Sequence, residues 1–358
     1  MAKKKATEGG ILAELQSKFG EEVVTNLSKN QAVKCESVTT GTISVDDIVG
    51  VDGWPKGRII EISGPESSGK TTLALHAVAA FQNSDDKRKT GYIDVEHAID
   101  PLYASNLGVK LEDMIFSQPN SAEEALTITE MMANSSEVGM IIVDSVAALT
   151  PQAEIDGEIG DRTVALQAQL MSKALRRLVP IVKEKNVIVI FINQVRDKIS
   201  FMSSPGAETT PGGRALKFYS SVRVDIRRIG GVKEGDKIIG NTTKIKITKN
   251  KVAMPFRTAE VTIIFGKGIQ REREILDIGT KMKLISRSGS WYNYNDQRIG
   301  NGLADATETL VNNKELTNEI ETKIRELITE KKKDQVILDQ EPEDDEENED
   351  EVITESEG

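Results

Sequence analysis

A strand-forming run that breaks into Gly64-Pro65-Glu66-Ser67-Ser68-Gly69-Lys70-Thr71 and resumes as a helical pattern constrains this chain more than anything else in it. The octapeptide fits GxxxxGK[ST] in the context that pattern requires: Arg58–Ser63 reads as a buried strand and Lys70–Gln82 as a helix. Its chemistry lies in the backbone. Glycines let successive N–H groups curl about a phosphate, and the partial positive charge of a helix start faces the same point. Gly64, Pro65, Glu66, Ser67, Ser68, Gly69, Lys70 and Thr71 are therefore candidate nucleotide contacts. Lys70 would bridge β- and γ-phosphates, and the Thr71 hydroxyl would bind Mg²⁺.

Such a loop needs a sheet around it. Short β-rich runs at Gly91–Val95, Met140–Asp144 and Asn186–Asn193 alternate with helical patterns at Ala122–Ala133 and Val164–Val182. The last carries Met171, Ala174, Leu175, Leu178 and Val182 on one stripe. This alternation predicts an α/β chain with a mostly parallel twisted sheet flanked by helices. Asp144, Glu96 and Gln194 each close a strand, where the ligand crevice of such a sheet opens. Asp144 is placed to hold a hydrated Mg²⁺, Glu96 to orient or deprotonate water, and Gln194 to bond a γ-phosphate and report its loss. A strand-rich section follows at Val222–Arg228, Thr243–Lys249 and Glu260–Phe265.

The flanks read differently. Residues 10–19 form a short amphipathic helix, and Cys35–Gly57 reads as a polar connector. Gln270–Lys333 changes character: a helix, a turn-rich Ser288–Gly302 stretch with Trp291, Tyr292 and Tyr294, then two more helices. The expected divisions are an N-terminal arm (1–33), an ATPase core (34–269), a small C-terminal α+β domain (270–333) and a disordered acidic tail (334–358).

Charge is unevenly spread. The chain carries a formal −11, yet Asp339–Gly358 alone holds 12 acidic and no basic residues, which leaves the remainder near neutrality. Val195–Glu260 holds 14 Lys or Arg against 6 Asp or Glu. The acidic tail reads either as a solubiliser or as a segment that competes with a polyanion partner for the basic surface of the middle. The longest wholly apolar run, Val187–Ile192, has six residues, far short of a membrane span. One cysteine and two histidines exclude an internal disulfide and a Cys/His zinc site, and fit a cytoplasmic protein.

Several runs together resemble the bacterial-type RecA recombinases. They are Gly64 through Thr72, Ile93-Asp94-Val95-Glu96-His97-Ala98-Ile99-Asp100-Pro101, Val143 through Pro151, Phe191-Ile192-Asn193-Gln194, Glu208 through Tyr219, and Lys249-Asn250-Lys251 with Pro255-Phe256. The resemblance spans about residues 10 to 330. It implies a DNA-dependent ATPase that uses ATP and Mg²⁺, forms a helical homo-filament on single-stranded DNA and exchanges strands with duplex DNA. A LexA-type repressor is a further partner of bacterial members. By the same resemblance Glu96 is the catalytic glutamate and Gln194 the coupling residue. Thr72, Asp100 and Tyr103 join the nucleotide contacts, with Tyr103 stacking on adenine. Lys249 and Lys251 reach a neighbour's ATP, as an arginine finger would.

Two segments match the family's DNA loops, Gly157–Val164 and Val195–Arg214. Expected DNA contacts are Arg162, Val164, Ser172, Arg176, Arg196, Lys198, Ile199, Gly212, Gly213 and Arg214. The glycines would offer backbone N–H groups to phosphates, and Ile199 would wedge between stretched bases. The chain departs from the family at Val164, where methionine is usual, and at Ser203-Ser204-Pro205-Gly206, where an aromatic stretch is common. Two other readings share the loop: a hexameric helicase or clock-type ATPase, and a passive single-strand coating protein. The second is disfavoured by an aromatic content of 4%.

Overall fold

Six of the seven residues of Arg58–Gly64 (β1) are buried, and the strand lies in the middle of a nine-stranded sheet. The computed structural model describes residues 10–21, 23–24, 35–158, 165–197 and 208–338. The other strands of this sheet are Lys89–Asp94 (β2), Met114–Ser117 (β3), Val138–Asp144 (β4), Ile188–Gln194 (β5), Val222–Glu234 (β6), Lys237–Asn250 (β7), Thr258–Ile264 (β8) and Gly268–Ile269 (β9). They lie in the order β9-β8-β7-β6-β1-β5-β4-β2-β3. From β6 to β3 every neighbouring pair is parallel, and β7, β8 and β9 extend the sheet antiparallel. The mostly parallel sheet read from the alternation is therefore present.

Alternation along β1 divides the apolar core in two. Ile60 and Ile62 pack with Ile43–Val49 (α2) and Lys70–Gln82 (α3), whereas Ile59 packs with Ala122–Asn134 (α5) and Leu166–Glu184 (α6). Gly10–Phe19 (α1), Pro101–Asn106 (α4) and Ala215–Tyr219 (α7) complete the helices up to β6 that are used below. The α6 stripe buries Met171, Leu175, Leu178 and Val182, as its periodicity predicts. A fully buried side chain of this kind contributes ~1.5–3 kcal/mol relative to exposure, so each stripe commits its helix to one face. No helix among the described residues is long and apolar enough to cross a membrane.

The C-terminal section is Arg271–Lys281 (α8), the antiparallel strands Ser286–Ser288 (β10), Trp291–Tyr294 (β11) and Gln297–Asn301 (β12), then Leu303–Asn312 (α9) and Lys314–Leu338 (α10). Tyr292 and Tyr294 are core residues here, packed with Ile275, Leu276 and Ile320. Trp291 and Tyr292 lie under guanidinium groups, Arg298 at 4.7 Å and Arg287 at 5.0 Å from the ring centres.

The connector reading of Cys35–Gly57 is corrected. The stretch contains α2 and a fully buried Trp54, and Ile43 joins the C-terminal core. Thr42 caps α2 through the Val45 N–H, and Gly50 ends it at φ +87°. Its first turn is also held from far along the chain. Glu274 on α8 accepts from the Ile43 N–H at 3.0 Å and the Ser44 N–H at 2.8 Å, and Arg325 on α10 reaches Asp46 at 3.0 Å. Seven residues make a poor helix alone, and these partners, remote in sequence, stabilise it.

Candidate nucleotide site and nucleic-acid face

β1 ends in Gly64 because nothing larger fits: a Cβ there would stand 2.2 Å from the Ile226 carbonyl oxygen. The chain then turns through Ser67 at φ +56° and Gly69 at φ +98° before α3 begins at Lys70. Lys70 folds back over the loop, its Nζ donating to the Pro65 carbonyl at 2.7 Å. Burial pulls its pKa below the usual lysine value, opposed by the nearby charges of Asp144, Glu96 and Glu66. A cavity of 350 Å³ opens above, walled by the loop from Glu66 to Thr72 and by Glu96, Tyr103, Asp144 and Gln194.

The strand ends deliver the carboxylates. Asp144 closes β4, and its Oδ2 accepts from the Thr71 hydroxyl at 2.8 Å and the Tyr92 phenol at 2.9 Å. Burial pushes its pKa up to about 6; the two donors pull it back, and Glu96 and Asp94 push it further. A buried carboxylate held at such a cost, beside a hydroxyl, is suited to a cation. Glu96 stands two residues beyond β2, exposed to the cavity, and its Oε1 accepts from Gln194 Nε2 at 2.8 Å and from the Ser145 hydroxyl. Asp94 fixes the intervening turn, its oxygens accepting from the Ala98 and Ile99 N–H groups and from Gln118.

Tyr103 lines the cavity with its phenol 2.9 Å from the Thr72 hydroxyl. Asp100 does not line it. Its Oδ1 caps α4, accepting from the Leu102 N–H at 2.9 Å and the Tyr103 N–H at 3.3 Å, so it fixes where Tyr103 stands. The far wall comes from residues that sequence reasoning missed: Asn241 and Thr243 on β7, Ile263 on β8, and Phe265 and Gly266 in the turn after it. Asn241 Oδ1 and Thr243 Oγ1 are buried there without a hydrogen-bond partner among the described residues. The one available signal was Thr243, a polar residue in register with the inward-facing Ile245 and Ile247.

Lys249 and Lys251 lie at the opposite end of β7 and wall no part of the cavity. Lys249 Nζ donates to the Lys217 carbonyl at 2.6 Å and the Phe218 carbonyl at 3.0 Å; Lys251 reaches Phe218 at 3.4 Å. Both therefore sit at the carbonyl end of α7. The Lys249 pKa is lowered by burial and then by the charges of Lys251 and Arg223.

The second candidate DNA loop has a built root. Arg196 pairs with Thr209 and Asp197 with Glu208 in a two-residue ladder. Gly212 and Gly213 adopt φ +79° and +73°, and a Cβ on either would come within 2.8 Å of Val146 or Ala168. The Gly212 N–H donates to Gln167 at 3.2 Å, so it is used inside the protein and not offered outward as expected. Arg176 is exposed and Ser172 half-buried on α6, and Arg214 is exposed at the start of α7. Arg162, Val164, Lys198 and Ile199, with residues 339–358 of the acidic tail, fall outside the described residues, while residues 334–338, assigned to that tail, continue α10. The basic excess gathers beside the loop root. Lys217, Arg223, Arg227, Lys244 and Lys246 line a second cavity of 520 Å³ with Thr210 and Val195.

Comparison with known proteins agrees with this geometry. The family description of the RecA N-terminal domain matches residues 6–270, and that of the RecA C-terminal domain matches residues 273–329. The chain is 51% identical over 328 residues to Protein RecA of Bartonella quintana (strain Toulouse), covering 91% of this chain and 93% of that one. It is 47% identical over 326 residues to Protein RecA of Bacillus subtilis (strain 168), covering 91% and 93%. A crystal structure of the RadB recombinase is similar with a TM-score of 0.49 and 22% identity, over 65% of this chain and 98% of that one. Matched from before the phosphate loop to the last helices, this chain belongs to the RecA family.

Proposed function

We propose that this chain is a DNA-dependent ATPase that assembles in its ATP-bound form as a helical filament on single-stranded DNA and exchanges strands with homologous duplex. The cavity fits a magnesium-bound triphosphate. The loop beneath it leaves no room for a Cβ at Gly64, just behind the cavity, or at Gly69 in its wall; that wall holds polar oxygens without partners among the described residues, and a buried carboxylate and a hydroxyl share one hydrogen bond at its edge. Thr71 and Asp144 would hold the Mg²⁺, Asp144 through water. When bound, the ion neutralises charge on the phosphates and orients them.

The chain's own groups then divide the work. The loop N–H groups and Lys70 grip phosphate oxygens. Tyr103 faces the base, with Asp100 setting its helix. Glu96 accepts a proton from the attacking water, since it is exposed to the cavity and already an acceptor of two donors. Gln194 is bonded to that carboxylate at 2.8 Å and lies one residue before the second loop, so a contact to the γ-phosphate would alter both. This single junction, in which the water-activating group and the root of a DNA loop share an amide, is the observation that carries the proposal.

Lys249 and Lys251 cannot serve their own cavity from the far end of β7, which supports their delivery to a neighbour's nucleotide. A site completed head to tail generates an open helix. Phosphate contacts from Arg176, Arg214 and the basic cavity beside the loop root supply affinity without reading sequence, as homology testing by base pairing requires. The test is ATP hydrolysis with and without single-stranded DNA, with microscopy of the same samples. Glu96→Gln abolishes turnover and retains ATP-dependent filaments on DNA; unchanged hydrolysis removes Glu96 from the mechanism.

A further inference from the structure

No charged side chain among the described residues is buried more deeply than Glu61, at 0% exposure in the central strand. Its neighbours Ile59, Ile60 and Ile62 belong to the two apolar cores, so a carboxylate here needs a reason. A buried ion pair is seldom more stable than apolar residues of the same volume, so stability alone does not explain it. Sheet register supplies the partners. Arg223 on β6 is the direct neighbour of Glu61 and donates its Nε at 2.5 Å. Asn193, near the end of β5, donates its Nδ2 to the other oxygen at 3.1 Å.

Those two partners lead to different machinery. Asn193 also donates to the Pro211 carbonyl at 3.2 Å, at the root of the second DNA loop, and accepts from the Gln194 N–H at 3.0 Å. Gln194 in turn holds Glu96. On the other side, Arg223 is the cross-strand partner of Lys249 on β7. One carboxylate thus stands between the groups that attend this protomer's nucleotide and the strand that presents lysines to the next.

We infer that Glu61 is a positioning residue that couples the Gln194–Glu96 junction and the second-loop root to the placement of Lys249 and Lys251, making hydrolysis at successive sites along a filament cooperative. The inference rests on the function proposed above. Coupling needs an element with two arrangements that both sites bias. Gln194, bonded to Glu96 here and turned to a γ-phosphate under that function, is this element, and Asn193 is its hinge support.

The test uses the full chain with Glu61→Gln, which keeps the volume and an acceptor for Asn193 but removes the charge that holds Arg223. A fluorescent ATP analogue binds the dilute variant as tightly as the native chain, and unfolding stays cooperative. DNA-stimulated hydrolysis falls about tenfold, and its dependence on ATP changes from sigmoidal to hyperbolic. A merely structural role would not separate cooperativity from nucleotide affinity. Should Glu61→Gln fail to fold, Arg223→Gln must show the same loss of sigmoidicity, and native cooperativity there overturns the inference. A native chain that DNA does not stimulate overturns the proposed function itself. A stimulated native chain beside an equally stimulated, equally sigmoidal Glu61→Gln overturns this inference alone.

Discussion

Asp144→Asn tests the nucleotide cavity through a quantity that needs no catalysis. Folding moves this carboxyl from an ordinary 3.8 up to about 6, chiefly by burial. That difference corresponds to ~3 kcal/mol. The sign follows from linkage. Near pH 3 and below the group is largely protonated in both states and costs nothing. As pH rises through about 6 the unfolded chain has already ionised, and the folded chain bears the full cost by about pH 8. The amide still accepts from Thr71 or Tyr92 but can leave the other donor unsatisfied, which takes back ~1 kcal/mol. The variant is therefore equal to or up to ~1 kcal/mol less stable than the native chain near pH 3 and ~2–3 kcal/mol more stable at pH 8, or roughly 4–12 °C in Tm. Urea and thermal unfolding in a chelator at pH 3, 6 and 8 measure it. Adding Mg²⁺ and ATP reverses the ranking, because only the native chain gains ligand stabilisation. A difference that does not grow with pH refutes the assignment of the burial cost to this carboxyl.

Three other outcomes follow from the same geometry. Tyr92→Phe removes the phenol donor 2.9 Å from Asp144; a hydrogen bond to a charge contributes ~1.5–3 kcal/mol. The acid limb of hydrolysis should therefore move up by about 1–2 pH units, with activity recovered near pH 9 and an unmoved limb counting against it. Lys249→Ala lowers DNA-stimulated hydrolysis by at least about a hundredfold and leaves nucleotide binding by dilute protomers intact. Mixing it with Glu96→Gln restores turnover where a neighbour's lysines meet an intact glutamate, and no recovery argues against delivery in trans. Gly64→Ala drives a Cβ to 2.2 Å from the Ile226 carbonyl, so it costs ~1–3 kcal/mol and weakens nucleotide binding, checked by unfolding and titration.

What the sequence made legible follows the range of the interactions involved. β1, α3 and the α6 stripe are local patterns, and their limits fall within a residue or two of the reading. Glu96, Asp144 and Gln194 were legible because strand ends in a parallel sheet converge by topology. The far wall was not, because Asn241 and Thr243 reach the cavity only through the antiparallel extension of the sheet, which no spacing announces. α2 was read as connector for a related reason: its caps are local, but Glu274 and Arg325, which hold its first turn, lie more than two hundred residues away. Gly212 reads in the sequence as a backbone donor to phosphates, whereas its N–H is taken by Gln167 and its φ of +79° is what demands glycine.

The electrostatics of the cavity explain why a nucleotide would drive assembly. Its described wall offers one lysine, Lys70, against the carboxylates of Glu66, Glu96 and Asp144. A triphosphate adds more negative charge, and one Mg²⁺ offsets only part of it. Under the proposed function such a site is completed by cations from a neighbouring protomer, and Lys249 and Lys251 are cations that wall no part of their own cavity. Binding of ATP and stacking of the next protomer would, under that function, favour one another by the same factor in each direction, as linkage requires. Under the same function, loss of the γ-phosphate would remove the charge that holds those lysines, and a filament would weaken at spent seams first. Glu61, between Arg223 and Asn193, adds a side-chain route to the sheet ladder that joins the strand bearing those lysines to Gln194, where the loss would be sensed.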